Sequence, residues 1–84
     1  MYDLTYSDVA LKQLSKLPKE IRKRILNTLE RIRIKPYPHI AKLVGNPYFR
    51  LRAGDYRVIL NIKEDKLIIL VLEVGHRKKI YEHL

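Results

Sequence analysis

The stretch from Phe49 to Ile62 constrains the fold more than any other. Phe49 to Arg52 is a short segment, Gly54-Asp55 can form a tight turn, and Tyr56, Val58, Leu60 and Ile62 then alternate with Arg57, Ile59 and Asn61. Apolar residues at every second position after a glycine turn fit a strand hairpin and do not fit a helix. Lys63-Glu64-Asp65-Lys66 reads as a charged turn, and Leu67 to Val74 is apolar almost throughout. Such a run predicts a central strand buried on both faces. The second half of the chain is therefore expected to be an antiparallel meander of three strands.

The first half has a different period. Tyr2 to Tyr6 reads as a short strand, and Ser7-Asp8 offers an N-cap and a negative charge to a helix dipole. A first helix is expected to about Leu17, with Ala10, Leu14 and Leu17 at helical spacing. Pro18 breaks it and suits the first turn of a second helix. That helix carries Ile21, Ile25, Leu29 and Ile32 on one stripe, with Arg22, Lys23, Arg31 and Arg33 largely elsewhere. Pro36 and Pro38 end it, and residues 36–47, with three prolines and Gly45, read as a surface loop. The expected architecture is α+β: an N-terminal strand, an α-hairpin, then the meander, with the helices packed on one sheet face. Neither layer alone can bury its apolar side. No repeat or second domain is visible, so residues 1–84 read as a single domain.

Charge narrows the function. Eighteen Lys and Arg against nine Asp and Glu give a formal charge of +9, a surplus that favours nucleic acid or an acidic protein partner. The absence of cysteine excludes disulfides, thiolate catalysis and cysteine-based zinc sites. The start, Met1-Tyr2-Asp3-Leu4, has no charged-then-apolar leader, and the longest apolar run, Leu67 to Leu72, is too short to span a bilayer. A cytoplasmic protein is the expectation.

Most catalytic constellations are missing. Gly45, Gly54 and Gly75 stand singly, Ser7 and Ser15 both fall in the first-helix region, and His39, His76 and His83 lack metal-ligand spacing. No clustered carboxylates suggest a metal-dependent nuclease, and no cofactor is implied. What remains is Arg50, Arg52, Arg57 and Arg77 with Tyr48, Tyr56, His76 and Tyr81. Cleavage of RNA by its own 2′-OH needs in-line geometry, a proton acceptor, and positive charge at the phosphate. Arginine serves the last need, because its planar fork holds two phosphate oxygens and keeps its charge, but it is a poor proton donor. A tyrosine among cations could have its pKa lowered toward a useful range, and Tyr81 is the candidate, with His76 another. Singly, these residues have simpler readings. Arg52 suits the solvent face of a sheet, and Tyr56 is in phase with the core. Arg57 points opposite to the apolar set, free for a ligand or a surface salt bridge.

The run Leu43-Val44-Gly45, the segment from Tyr48 to Ile59 that contains Gly54-Asp55-Tyr56-Arg57, then Val74-Gly75-His76-Arg77 and Tyr81, resemble the RelE/ParE toxin superfamily, closest to RelE toxins of archaeal type. The likeness covers nearly the whole chain and includes the helix hairpin with Leu14-Ser15-Lys16-Leu17-Pro18. It implies the toxin of a type II toxin–antitoxin pair, cutting mRNA in the ribosomal A site without a metal. By the resemblance, Arg57 would contact the scissile phosphate and Arg77 would stabilise charge or aid the leaving group, while Tyr81 matches the C-terminal tyrosine. Arg50 stands where many relatives have lysine, and Arg52 matches a basic position. A second strand lysine, assigned to proton transfer in some members, is missing, with Tyr48 nearest. The expected catalytic set is thus Arg57, Arg77, Tyr81 and Arg50. The expected RNA contacts are Arg52, Tyr48, His76, Lys78 and Lys79. The partners would be a RelB-like antitoxin and the ribosome, through ribosomal RNA and mRNA. Two other readings stand beside this one: a ParE-like inhibitor of DNA gyrase, and an inactive relative that keeps antitoxin binding.

Overall fold

A computed structural model describes residues 1–80. Strand β1 (Asp3–Tyr6) is followed by helices α1 (Asp8–Ser15) and α2 (Lys19–Ile32). Strands β2 (Ile40–Lys42), β3 (Phe49–Ala53), β4 (Tyr56–Lys63) and β5 (Ile68–His76) complete it. The five strands form one sheet in the order β1-β5-β4-β3-β2, with β1 parallel to β5 and the other pairs antiparallel. The chain thus leaves one sheet edge as β1, crosses as the α-hairpin, and re-enters at the opposite edge as β2.

Each helix starts where its local chemistry allows. The Ser7 hydroxyl accepts the Ala10 N–H at 3.0 Å, capping α1, and donates to the Leu72 carbonyl at 2.7 Å. One side chain therefore fixes both the helix start and its seat on β5. Pro18 stands at the N-cap of α2, where its missing N–H costs nothing. Beyond the end of β1 pairing, the Gln13 side-chain oxygen accepts the Val74 N–H at 2.6 Å, supplying a partner to the bared strand.

The expected α+β layering is present. Ala10 and Leu14 of α1 and Ile25, Leu29 and Ile32 of α2 join Leu51, Ala53, Val58, Leu60, Ile69, Val71 and Val74 in one core. Ile25, Leu29, Val58 and Leu60 are fully buried. Burying a side chain of this kind contributes about 1.5–3 kcal/mol, so the helix–sheet layer carries most of the stability.

The structure differs from the sequence expectations at three places. The loop expected over residues 36–47 contains β2, which pairs with β3 from Ile40↔Leu51 to Lys42↔Phe49. Three residues are too few to display a period of two, and only the partner strand defines them as strand. Leu67, expected to open the last strand, instead has a left-handed backbone (φ 52°) closing a 3₁₀ turn over Glu64–Lys66. Its carbonyl is there used by the Asp3 N–H at 2.8 Å. Third, β5 is buried on the helix side at Ile69, Val71 and Val74 but only half-buried at Ile68, Leu70 and Leu72. The cause is that both helices lie on one face.

The β4–β5 turn is latched to two distant segments. Tyr2 and Tyr37 both donate their hydroxyls to the Glu64 carboxylate. Arg33 adds Nε to the Tyr2 carbonyl at 2.8 Å and an ion pair with Glu30 at 2.9 Å. Hydrogen bonds from Tyr2 and then Tyr37 hold the Glu64 carboxyl below its usual 4.5. The same bond pushes Tyr37 up to about 12. A depressed carboxyl stabilises the fold above its unfolded pKa and loses that contribution as pH falls through the folded value; a raised tyrosine contributes below its unfolded pKa and loses it as pH rises. Urea midpoints measured against pH should therefore decline below the ordinary carboxyl value of 4.5 and again between 10 and about 12. Glu64→Gln should remove the acid limb contributed by this residue, and Tyr37→Phe its alkaline counterpart.

Candidate functional site

The pairing register builds two rows on the sheet face away from the helices. Val58 and Leu60 turn into the core, so their neighbours Arg57, Ile59 and Asn61 turn outward. Arg57 lies between Arg52 of β3 and Gly75 of β5. Ile59, one step along, lies between Arg50 of β3 and Glu73 of β5. Tyr48, just before β3 and in phase with Arg50 and Arg52, lines a cavity of about 360 Å³ with Ser7, Val9, Ile59, Leu72 and Glu73. The bulge in β5 opposite Ile59 and Leu60 restores the core phase for Val71 while keeping Glu73 on the open face.

The Gly54-Asp55 turn holds two of the arginines. Arg57 is only 8% exposed, and its Nη1 donates to the carbonyls of Gly54 and Tyr56, each at 2.9 Å. The Arg77 backbone N–H donates to the Asp55 carbonyl at 2.8 Å. Consecutive carbonyls of one turn thus fix the Arg57 guanidinium and the start of the Arg77 segment. Gly54 has φ +61°, and a Cβ there would meet the Arg24 guanidinium at 3.1 Å, so α2 adds a cation on the turn's other side. Arg52 stands directly across from Arg57. Like charges so paired are destabilising by themselves, and a bound polyanion would reverse the sign of that interaction.

Past β5 the chain folds back. The Lys79 N–H donates to the His76 carbonyl at 2.9 Å and the Lys78 N–H to His76 Nδ1 at 3.2 Å. Ile80, 2% exposed, rests on Gly75: a Cβ at residue 75 would lie 3.0 Å from its Cδ1. Arg77, Lys78 and Lys79 are exposed. His76 is not brought to the arginine row. It packs edge-on against Tyr56 with ring centroids 5.5 Å apart, and Tyr56 faces the helices. Tyr81 lies outside the described residues.

Arg50, Arg52 and Arg57 thus share one face with Tyr48, and Arg77 is tethered at its end. Sequence reasoning missed two features. Glu73 is the carboxylate of this face, and its signal was present as the one charged residue inside the run Leu67 to Val74. The other is a groove along α2: Glu20, Lys23, Arg24, Asn27, Thr28 and Arg31 line a cavity of about 580 Å³, three cations against one acid. Thr28 and Arg31 then join His39 and Arg52 around a second of about 350 Å³. A basic helix face had been legible, but its continuation onto Arg52 depends on β2 starting only at Ile40, opposite Leu51, which leaves Arg52 uncovered on that edge.

The family profile described as "ParE toxin of type II toxin-antitoxin system, parDE" matches residues 4–81. The chain belongs to the ParE/RelE toxin family. The toxin is 28% identical over 81 residues to "mRNA interferase toxin RelE" of Escherichia coli K12, covering 93% of this chain and 85% of that protein. It is 31% identical over 88 residues to "Toxin RelE3" of Methanocaldococcus jannaschii, covering 93% of each. Its fold matches the archaeal RelE–RelB complex of Pyrococcus horikoshii OT3 with a TM-score of 0.80 at 28% identity, covering 93% of this chain and 97% of that one.

In this toxin Gly75→Ala should push the Ile80 side chain back by a few tenths of an ångström and loosen its seat on the strand, at a cost of about 1 kcal/mol, the low end for overpacking. Amide hydrogen exchange should detect it as faster exchange at Arg77 and Lys79, with Val58 and Val71 unchanged.

Proposed function

We propose that this toxin is a ribosome-dependent endoribonuclease that cuts mRNA in the A site and so inhibits translation. The observation that carries the reading is the attachment of the Arg57 guanidinium and the Arg77 backbone to adjacent carbonyls of one turn, with Arg52 across the ladder and Arg50 one row away. A cation fixed before substrate arrives, as the Arg57 guanidinium is, costs no reorganisation when charge builds on the phosphate. The names of the RelE relatives, an mRNA interferase among them, support the same reaction class.

In this reading the 2′-oxygen attacks the adjacent phosphorus without a metal and the 5′-oxygen leaves, giving a 2′,3′-cyclic phosphate and a 5′-hydroxyl. Arg57 grips the scissile phosphate, Arg77 neutralises charge toward the leaving group, and Arg50 and Arg52 hold flanking phosphates. Tyr48, Lys78 and Lys79 extend the RNA contact. His76 reaches RNA only by leaving Tyr56. Tyr81 takes part in the reaction too, as the likeness to the family suggests. The α2 groove, with Lys23, Arg24 and Arg31, docks ribosomal RNA, so affinity falls steeply with salt. Residues 1–84 act as one toxin domain in the cytoplasm. A RelB-like antitoxin covers the cationic face with an acidic or amphipathic segment that folds on binding, as the RelE–RelB complexes among its structural relatives suggest. The ParE name of the family profile favours a second reading, gyrase inhibition without RNA cleavage.

Primer extension on mRNA from a translating extract tests the choice. Wild-type toxin should give discrete cuts within translated sequence, absent without ribosomes. Arg77→Ala, at an exposed position where folding is spared, should weaken them by about 10²–10³-fold. Tyr81→Phe reports whether that hydroxyl takes part. Folded wild-type toxin that leaves mRNA intact but blocks gyrase would establish the second reading instead.

A further inference from the structure

We infer that Glu73 is the proton acceptor for the attacking 2′-OH, with the ribose and base of the same nucleotide seated in the cavity beside Tyr48; this rests on the RNA-cleaving reading above. The arginines cannot fill that role, because a guanidinium has donors only and does not lose its proton. The Lys78 and Lys79 side chains lie beyond the strand end and are exposed. Glu73 is the carboxylate on the open face next to the Arg52–Arg57–Gly75 row.

Its geometry suits the task. Glu73 is paired with Ile59, which makes it the diagonal neighbour of Arg57 two residues back along β4. Diagonal neighbours stand about 7–8 Å apart, room for a ribose between an arginine-held phosphate and the carboxylate. The half-buried Glu73 lines the 360 Å³ cavity with the Tyr48 ring, Val9, Ile59 and Leu72, an aromatic and aliphatic wall suited to a stacked base. The Ser7 hydroxyl in that wall is committed to the Leu72 carbonyl, and the Gln13 oxygen to the Val74 N–H. Arg50 and Arg57 are the cations facing it from β3 and β4. Among the described residues the ion pairs belong to Arg33, not to Glu73. A carboxylate kept on a cationic face without an ion pair is available to a substrate.

The step balances. The Glu73 carboxylate takes the 2′-OH proton, the 2′-oxygen–phosphorus bond forms, and the phosphorus–5′-oxygen bond breaks. The departing 5′-oxygen takes a proton from water, and the Glu73 carboxylic acid returns its own to solvent.

Single-turnover cleavage of mRNA on programmed ribosomes tests it, comparing wild type, Glu73→Gln, Glu73→Asp and Glu73→Ser. A second mRNA would carry a 2′-deoxy nucleotide before the scissile phosphate. Glu73→Gln should slow cleavage by about 100-fold or more, the usual reach of general-base catalysis, with the half-saturating toxin concentration unchanged. Glu73→Asp should recover much of the rate, and Glu73→Ser should match Gln, carrying the test should Gln fail to fold. Cleavage by Glu73→Gln within a few-fold of wild type would overturn the assignment, as would a loss confined to half-saturation. If wild type leaves the all-ribose mRNA uncut, or cuts the 2′-deoxy mRNA equally well, the RNA-cleaving reading itself fails and Glu73 loses its role with it.

Discussion

The register of β4 against its neighbours is the constraint on which the rest depends. Val58 faces the helices between Leu51 and Val74, and that choice sends Arg57 to the opposite side between Arg52 and Gly75. A slip of one residue would bury the arginine row under α2 and expose the core. The apolar energy that folds the domain and the placement of its cations are therefore one decision. No separate interaction has to aim Arg57; packing of its two neighbours does so, and the Gly54 and Tyr56 carbonyls then fix its guanidinium.

That arrangement works against local stability. Arg52 opposite Arg57, with Arg24 pressed on the turn beneath, concentrates positive charge at one end of the hairpin. The fold tolerates it because the helix–sheet core lies on the other face and because Arg57 is tied to carbonyl dipoles. Violations of local preference gather where a ligand is meant to complete them. Left-handed Leu67, at the other end of β4, is different in kind: it closes a turn and meets Asp3 from β1.

Much of this was legible in the sequence, and the failures have physical reasons. The alternation of Tyr56, Val58, Leu60 and Ile62 fixed the inward face of β4, and Ser7 and Pro18 marked the helix starts where they occur. β2 was hidden because three residues carry no period, and the parallel pairing of β1 with β5 because strand partners leave no local mark. His76 was grouped with the cations by adjacency to Arg77, but as the last residue of β5, two after Val74, it turns to the helix side, and its ring found Tyr56. Glu73 was passed over for a related reason. In an apolar run a lone acid reads as an interruption, and only the bulge and the pairing with Ile59 show which face it serves.

The Glu64 latch sits at the far end of β4 from Arg57, roughly 20 Å away at about 3.3 Å per strand residue. Tyr2, Tyr37 and Arg33 knit the N-terminus, the segment after α2 and the last turn together there, using groups remote from the arginine row. The molecule is thus divided lengthwise into a quiet pole and a reactive one. Descendants of this sequence can change the reactive pole, exchanging cations or blunting a harmful activity, while the quiet pole keeps the chain folded. A toxin built this way can be disarmed by evolution without being unfolded by it.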